Sequence, residues 1–355
     1  VGLFETTMAD IIAKKERKEK GLHNSVPFPF SRWLHSVDGF DPGTYYQILG
    51  GTNTGKSKLK RYFIYKIAEF AFETGYQVKV LDFSLEDDRK EVYKKTMSHY
   101  LWKHHKEDLG LKYMNSRESP LNQKYIDLLQ QDSGFFNEYD QIVNVINGAT
   151  SPDEIFNICK RAHDKWGSTH QIITFVDNIS NITKDPQDSN EFEAIKRWSR
   201  NIARLKLCKE MQMTIVDIMQ LDFDSEKFAH RNANKGTIAS VEPSLSSIGD
   251  SKISARNSHV IMALFSPNRY DIHQYPNSDG YNIDVLRDNF RSLLMLKNSH
   301  GELGGRLPLL FDGKHENFDE LPRLEDRDAL DKIYREIVET EKQKLAKYGS
   351  QKSMF

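Results

Sequence analysis

Short apolar runs recur along the chain, and their length and their share of β-branched and aromatic residues mark them as buried strands. They fall at 46–50, 77–84, 141–146, 171–178, 213–220 and 259–265. Between them the pattern changes to a helical period: 59–72, then 89–131 with breaks near Gly110 and Pro120. Helical spacing returns over 155–166, behind a Ser151-Pro152-Asp153-Glu154 start, and over 191–211. Strands alternating with helices predict an α/β core. Two further runs, 291–297 and 306–311, flank the polar stretch 298–305 and read as a hairpin with Lys297 at its mouth.

The ends differ from this core. Residues 1–24 place the charged run Lys14 to Lys20 after a short apolar patch, which predicts an exposed helix or arm. Such an arm is either docked on a neighbouring subunit or a solvated tail. Residues 25–43 mix proline, glycine and aromatics and read as a packed, irregular lead-in to the first core strand. Beyond Asp326 a charged helix offers one narrow apolar face, Leu330, Ile333, Tyr334 and Ile337, suited to a flank or a subunit contact. The expected division is 1–24 as arm or linker helix, 25–321 as the main domain and 322–355 as a helical extension.

Composition narrows the class without choosing a function. At 355 residues the chain can bury one large core or two modest ones. The formal net charge of -1 gives no general pull toward nucleic acid, so any such contact must come from a local patch. With 38% hydrophobic and 28% charged residues the chain reads as soluble and globular. Cys159 and Cys208 sit in helical patterns without the spacing of a zinc site or a disulfide framework. No apolar run reaches the roughly 18 residues of a membrane span, and no signal-peptide pattern is present. A reducing compartment that contains ATP is expected, with no membrane partner. The chain begins at Val1, which fits a processed product or one part of a longer polypeptide.

The chemistry concentrates at strand ends. After the first run comes Gly50-Gly51-Thr52-Asn53-Thr54-Gly55-Lys56-Ser57, a Gly-x-x-x-x-Gly-Lys-Ser loop between a strand and a helix. Its glycines let backbone N–H groups curl round a triphosphate, Lys56 reaches the β- and γ-phosphates, and the Ser57 hydroxyl holds Mg²⁺. Glu86 follows the next strand and is placed either to polarise a water at the γ-phosphate or to sit at a helix N-terminus, where Asp87 and Asp88 fit better. Asp177 ends another strand, in position to support the Mg²⁺ water shell. Gln220 ends a fourth and can sense the γ-phosphate. The long loop that follows, 221–249, clusters Lys227, Arg231 and Lys235, a charge pattern suited to a single-stranded nucleic-acid backbone or simply to a solvated loop. Tyr93, Tyr100, Trp102, Tyr113 and Tyr125 read as core or helix-packing residues.

Taken together, these pieces resemble the motor domain of the DnaB-type replicative DNA helicases, a branch of the RecA-like ATPases. The resemblance runs from about residue 25 to 321 and is carried by the phosphate loop, Phe83-Ser84-Leu85-Glu86, the strand ending at Asp177 and Gln220-Leu221. Leu245-Ser246-x-Ile248-x-Asp250-Ser251-x-Ile253 and Leu296-Lys297-x-x-x-Gly301 complete it, the latter followed by Leu310-Phe311-Asp312-Gly313. It implies a RecA-like core with a central, mostly parallel sheet flanked by helices, and ATP with Mg²⁺ as cofactors. It further implies a homo-hexameric ring around single-stranded DNA and a cytoplasmic setting, bacterial or, for a phage protein, that of the host. By the same resemblance Glu86 activates water, Asp177 supports the metal, and Gln220 couples phosphate state to the DNA loops at 222–249 and 266–280. Lys297 then reaches the neighbouring subunit's γ-phosphate. Other replication proteins are expected partners.

The sequence departs from the family in two places. Ser299 stands two residues beyond Lys297, where the family usually has an arginine finger, which leaves Arg291 and Arg306 as the candidates for that role. The family's amino-terminal collar domain is not in this sequence. Two other readings remain in view: a RecA-like recombination ATPase forming a filament, and a weakly hydrolysing ATP-binding assembly or loading protein.

Overall fold

Buried on both faces, parallel strands need almost continuous apolar sequence, and the runs singled out above meet that demand. They become β1 (Tyr45–Gly50), β2 (Val78–Ser84), β3 (Val143–Ile146), β4 (Gln171–Asp177), β5 (Thr214–Gln220) and β6 (Val260–Phe265), all mutually parallel. The hairpin forms as expected: β7 (Phe290–Asn298) pairs antiparallel with β8 (Arg306–Asp312), and β9 (Asn317–Glu320) follows. The computed structural model describes residues 2–117, 119–148, 150–221, 238–245 and 252–352. Among the described residues these strands form one nine-stranded sheet in the order β9-β8-β7-β6-β1-β5-β4-β2-β3. The strand that leads into the phosphate loop therefore lies at its centre.

Helices cover both faces. On one side α2 (Lys56–Thr74) and α3 (Arg89–His105) pack with the lead-in segment, whose Phe28, Phe30 and Phe40 rings surround Phe63 of α2 at centroid distances of 5.2, 5.9 and 5.5 Å. A buried phenylalanine in such a setting contributes about 3–5 kcal/mol against truncation. The irregular lead-in is thus part of the core. On the other side α4 (Pro152–Trp166) starts with a capping box between Ser151 and Glu154, and buries Cys159. The helix expected over 191–211 is present as α5 (Glu191–Arg197), but from Trp198 to Glu210 it continues with the wider i→i+5 winding. Its Trp198 indole N–H donates to the buried Asp217 carboxylate at 2.9 Å. Arg197, at the junction, is held by Asp188 at 2.8 Å and Asp153 at 2.6 Å, which ties the preceding linker to α4.

Both ends behave differently from the core. The amino-terminal helix α1 (Leu3–Glu19) buries no residue, and Leu3, Phe4, Ile11 and Ile12 are between 48% and 85% exposed. The carboxyl-terminal helix α7 (Arg327–Lys352) docks through the apolar face read from the sequence: Leu330 is buried, and Ile333, Tyr334 and Ile337 pack against the core. Of the aromatics assigned to packing, Tyr100 is buried, whereas Tyr113 is 49% exposed on a short helix that buries none of its residues. Among the described residues no helix is long and apolar enough to cross a membrane.

A histidine clasp joins the hairpin region to α3. The His315 ring stacks on Trp102 with centroids 4.8 Å apart, and its nitrogens meet Asp312 at 2.6 Å and Asp108 at 2.9 Å. Burial works to lower the His315 pKa, but the two carboxylates outweigh it and the pKa ends above its ordinary value of 6.5. A pKa raised on folding adds stability that is complete below the unfolded value and fades as pH rises through the folded one. His315→Gln should therefore lower the thermal midpoint most at about pH 6, and less above about pH 8. The difference is roughly 1 kcal/mol or less, because Asp108 is half exposed. Melting curves at the two pH values check this; an equal gap at both would contradict it.

Candidate active site

Parallel strands end on a common edge, so the residues that follow β1, β2, β4 and β5 are brought together there. The loop after β1 makes a tight curl. Asn53 and Gly55 have φ of +57° and +104°, and a Cβ on Gly50 would meet Leu264 O and Thr54 Oγ1 at 2.8 Å each. The Gly51 carbonyl accepts from Thr54 Oγ1 at 2.9 Å and from Lys56 Nζ at 2.7 Å, so the lysine lies along its own loop. At the loop's end the first turn of α2 presents N–H groups that have no partner within the helix, together with the positive end of its dipole.

Other strands brace this loop. Gln220, closing β5, pairs in register with Gly50, and its Nε2 donates to Thr52 Oγ1 at 2.6 Å. Arg291 of β7 is buried, lies over the Phe311 ring at 4.4 Å, and donates from Nε to Thr54 O at 2.7 Å. Burial pushes its pKa down to about 10, which leaves it charged at neutral pH. Arg269 donates to Thr52 O. The segment 266–280, expected as a DNA loop, buries Pro267, Tyr270 and Tyr275 and turns Arg269 onto the phosphate loop.

The three acids after β2 separate into distinct roles. Asp88 caps α3 by accepting from Lys90 N at 2.8 Å, and Asp87 pairs with Lys95 at 2.7 Å. The helix-cap position is therefore filled by Asp88. Glu86 is exposed and turns to Asn181, whose Nδ2 donates to Oε1 at 3.0 Å, with Asn178 Nδ2 at 3.4 Å. Asp177, paired in register with Ser84, is buried, and its Oδ2 lies 3.1 Å from Lys60 Nζ. Lys60 also meets Asp82 Oδ1 at 2.8 Å. Burial works against the charge on Lys60, but the Asp82 and Asp177 carboxylates outweigh it and its pKa ends above the ordinary value.

Thr52, Asn53, Gly55, Lys56, Ser57, Glu86, Asp177 and Gln220 all line one cavity of about 1020 Å³, with Gly50, Gly51 and Thr54 in the loop that forms its floor. That volume suits a nucleotide. The donor set facing a metal would be the Ser57 hydroxyl and the Asp177 carboxylate, hard oxygens that match Mg²⁺.

The structure does not bring Lys297 to this cavity. It pairs with Ile261 near the start of β6, at the opposite end of the sheet, and its ammonium donates to Ser258 O at 2.6 Å and Arg256 O at 3.2 Å at the end of α6 (Lys252–Asn257). Burial and the nearby Arg204 guanidinium lower its pKa. Arg204, not singled out from the sequence, reaches Asn257 O at 3.4 Å on the same short helix. Arg306 is held bidentately by Glu242 at 2.8 and 2.6 Å. Lys227, Arg231 and Lys235 lie outside the described residues.

A central parallel sheet with a phosphate loop, a following acid and a strand-end aspartate on one edge defines a RecA-like P-loop NTPase fold. More narrowly, the chain belongs to the DnaB-like helicase C terminal domain family, whose sequence model matches residues 26–320. Among solved structures it is similar to an ATPase domain at 18% identity and a TM-score of 0.67, covering 91% of this chain and 100% of that one. It is also similar to a DnaB-like replicative helicase described with its interactions with primase, at 16% identity and a TM-score of 0.64. That match covers 88% of this chain and 66% of the other. These two likenesses speak to fold. A search of curated proteins gave no significant match.

Proposed function

We propose that the chain is an ATP-dependent DNA helicase or single-stranded DNA translocase of the replicative type, hydrolysing ATP at the subunit interfaces of a hexameric ring. The observation that carries this reading is the convergence of Lys56, Ser57, Glu86, Asp177 and Gln220 on one cavity, within a chain of the DnaB-like family. Lys56 exchanges its Gly51 carbonyl for the β- and γ-phosphates. Ser57 and Asp177 hold Mg²⁺, which when bound neutralises phosphate charge. Glu86, oriented by Asn181, holds the attacking water in line and takes its proton. Gln220 already touches Thr52, so a change at the phosphate loop reaches the strand that leads into the loop from 221. Lys297, remote from its own phosphate loop, serves the neighbour's site. The exposed apolar residues of α1 favour docking on a neighbouring subunit over a solvated tail.

A second reading, a weakly hydrolysing ATP-binding assembly or loading protein, draws support from the arginines. Ser299 carries no charge, Arg291 braces its own loop and Arg306 is paired with Glu242. ATP turnover measured with and without single-stranded DNA separates the two. A motor should be stimulated, and alanine at Lys227, Arg231 and Lys235 together should remove the stimulation and flatten the salt dependence of DNA binding. Equal turnover with and without DNA in the native chain would leave the second reading standing.

A further inference from the structure

Lys60 lies one helical turn beyond Lys56 on α2 and is fully buried, its ammonium between Asp82 Oδ1 at 2.8 Å and Asp177 Oδ2 at 3.1 Å. Asp82 is itself buried, two residues before Ser84, which is the register partner of Asp177. Both carboxylates and the lysine therefore share one face of the sheet, directly behind the edge of the nucleotide cavity. A buried lysine needs a counter-charge, and a single carboxylate would suffice. The structure supplies two, and one of them lines the cavity. The neighbouring cation Arg61 has its own partners, Glu316 at 2.6 Å and Asp87 at 3.5 Å.

We propose that Lys60 and Asp82 form a charge-setting pair behind the metal-supporting aspartate. Asp82 takes up most of the lysine's charge, so that Asp177 keeps its own for the divalent cation. Lys60 and Asp82 are positioning residues, and their arrangement tunes the Mg²⁺ demand of nucleotide binding. Without Asp82 the lysine's full charge falls on Asp177 and competes with the metal. The inference rests on the metal role given to Asp177 above.

The test is a Mg²⁺ titration of fluorescent ADP binding, which reads metal affinity without turnover. Asp82→Asn should move the Mg²⁺ midpoint upward by about tenfold, the low end for residues standing behind a metal ligand. The double variant Lys60→Met/Asp82→Leu, which removes both charges together and is the better tolerated replacement of a buried pair, should bind at a midpoint no higher than the native chain. Circular dichroism melting establishes that each variant is folded, and if Asp82→Asn is not, Asp82→Ser, which removes the same charge, is titrated in its place. An unchanged midpoint in folded Asp82→Asn overturns the proposal, as does a double variant shifted upward. Asp177→Asn is titrated alongside. If it leaves the Mg²⁺ dependence intact, the metal reading of Asp177 fails and the pair's role falls with it; if it removes that dependence while Asp82→Asn changes nothing, only the pair's role falls.

Discussion

Glu86→Gln is expected to lower ATP turnover by about 10² to 10⁴, the range over which a positioned general base acts. That corresponds to about 3 to 5 kcal/mol of barrier. The substitution is chosen for what it keeps. A glutamine Oε1 still accepts from Asn181 and Asn178, so the side chain stays in place at the cavity edge. The amide cannot take a proton from water. Nothing in the change touches Lys56, Ser57 or the phosphate loop, so fluorescent nucleotide should bind as it does to the native chain. Single-turnover hydrolysis and nucleotide titration, done on the same preparation, read the two effects separately. A variant that loses binding together with turnover, or one that turns over within a few-fold of the native chain, would remove Glu86 from the role of base.

The place of Glu86 at the sheet edge was legible in the sequence because it depends on one strand alone, whereas the choice of a base over a helix cap leaned on the resemblance. An acid two residues past the end of a buried run lies at the sheet edge wherever that strand sits, and the same holds for Asp177 and Gln220. The phosphate loop is similarly local, and Ser151 with Glu154 announced the start of α4. The Lys60 pair was a different problem. Its contacts require β4 beside β2 and α2 across both, an order that no local pattern contains. A signal was nevertheless present: a lysine on the apolar face of a helix and an aspartate inside an apolar strand must each find a partner. The contact of Arg269 with the phosphate loop was hidden for the same reason, as was that of Arg291, a candidate for the finger, since both reach the loop from segments more than two hundred residues away in the chain. The wide winding after Trp198 gave no periodic sign, and the short helix that carries Tyr113 buries none of its residues.

Lys297→Ala should cut turnover by about 10³, the lower end of what a cation supplied in trans contributes to phosphoryl transfer, and leave nucleotide binding nearly intact. The geometry behind this is the separation within one chain. The phosphate loop follows the carboxyl end of β1, whereas Lys297 pairs with Ile261 near the beginning of β6, a strand parallel to β1. A lysine at the far end of the sheet cannot serve its own site, but a ring can place it against the next subunit's. Mixing settles the matter. Lys297→Ala subunits carry an intact Glu86, and Glu86→Gln subunits carry an intact Lys297, so an interface that joins the good half of each is complete. Turnover should return when the two inactive variants are combined, and should not return if Lys297 acts only by holding the α6 carbonyls of its own chain. Arg204→Ala belongs in the same experiment, because its guanidinium shares α6 with Lys297 and Ser299 brings no charge of its own. Rescue of Arg204→Ala by Glu86→Gln subunits would place the arginine that the hairpin lacks on the helix beside it.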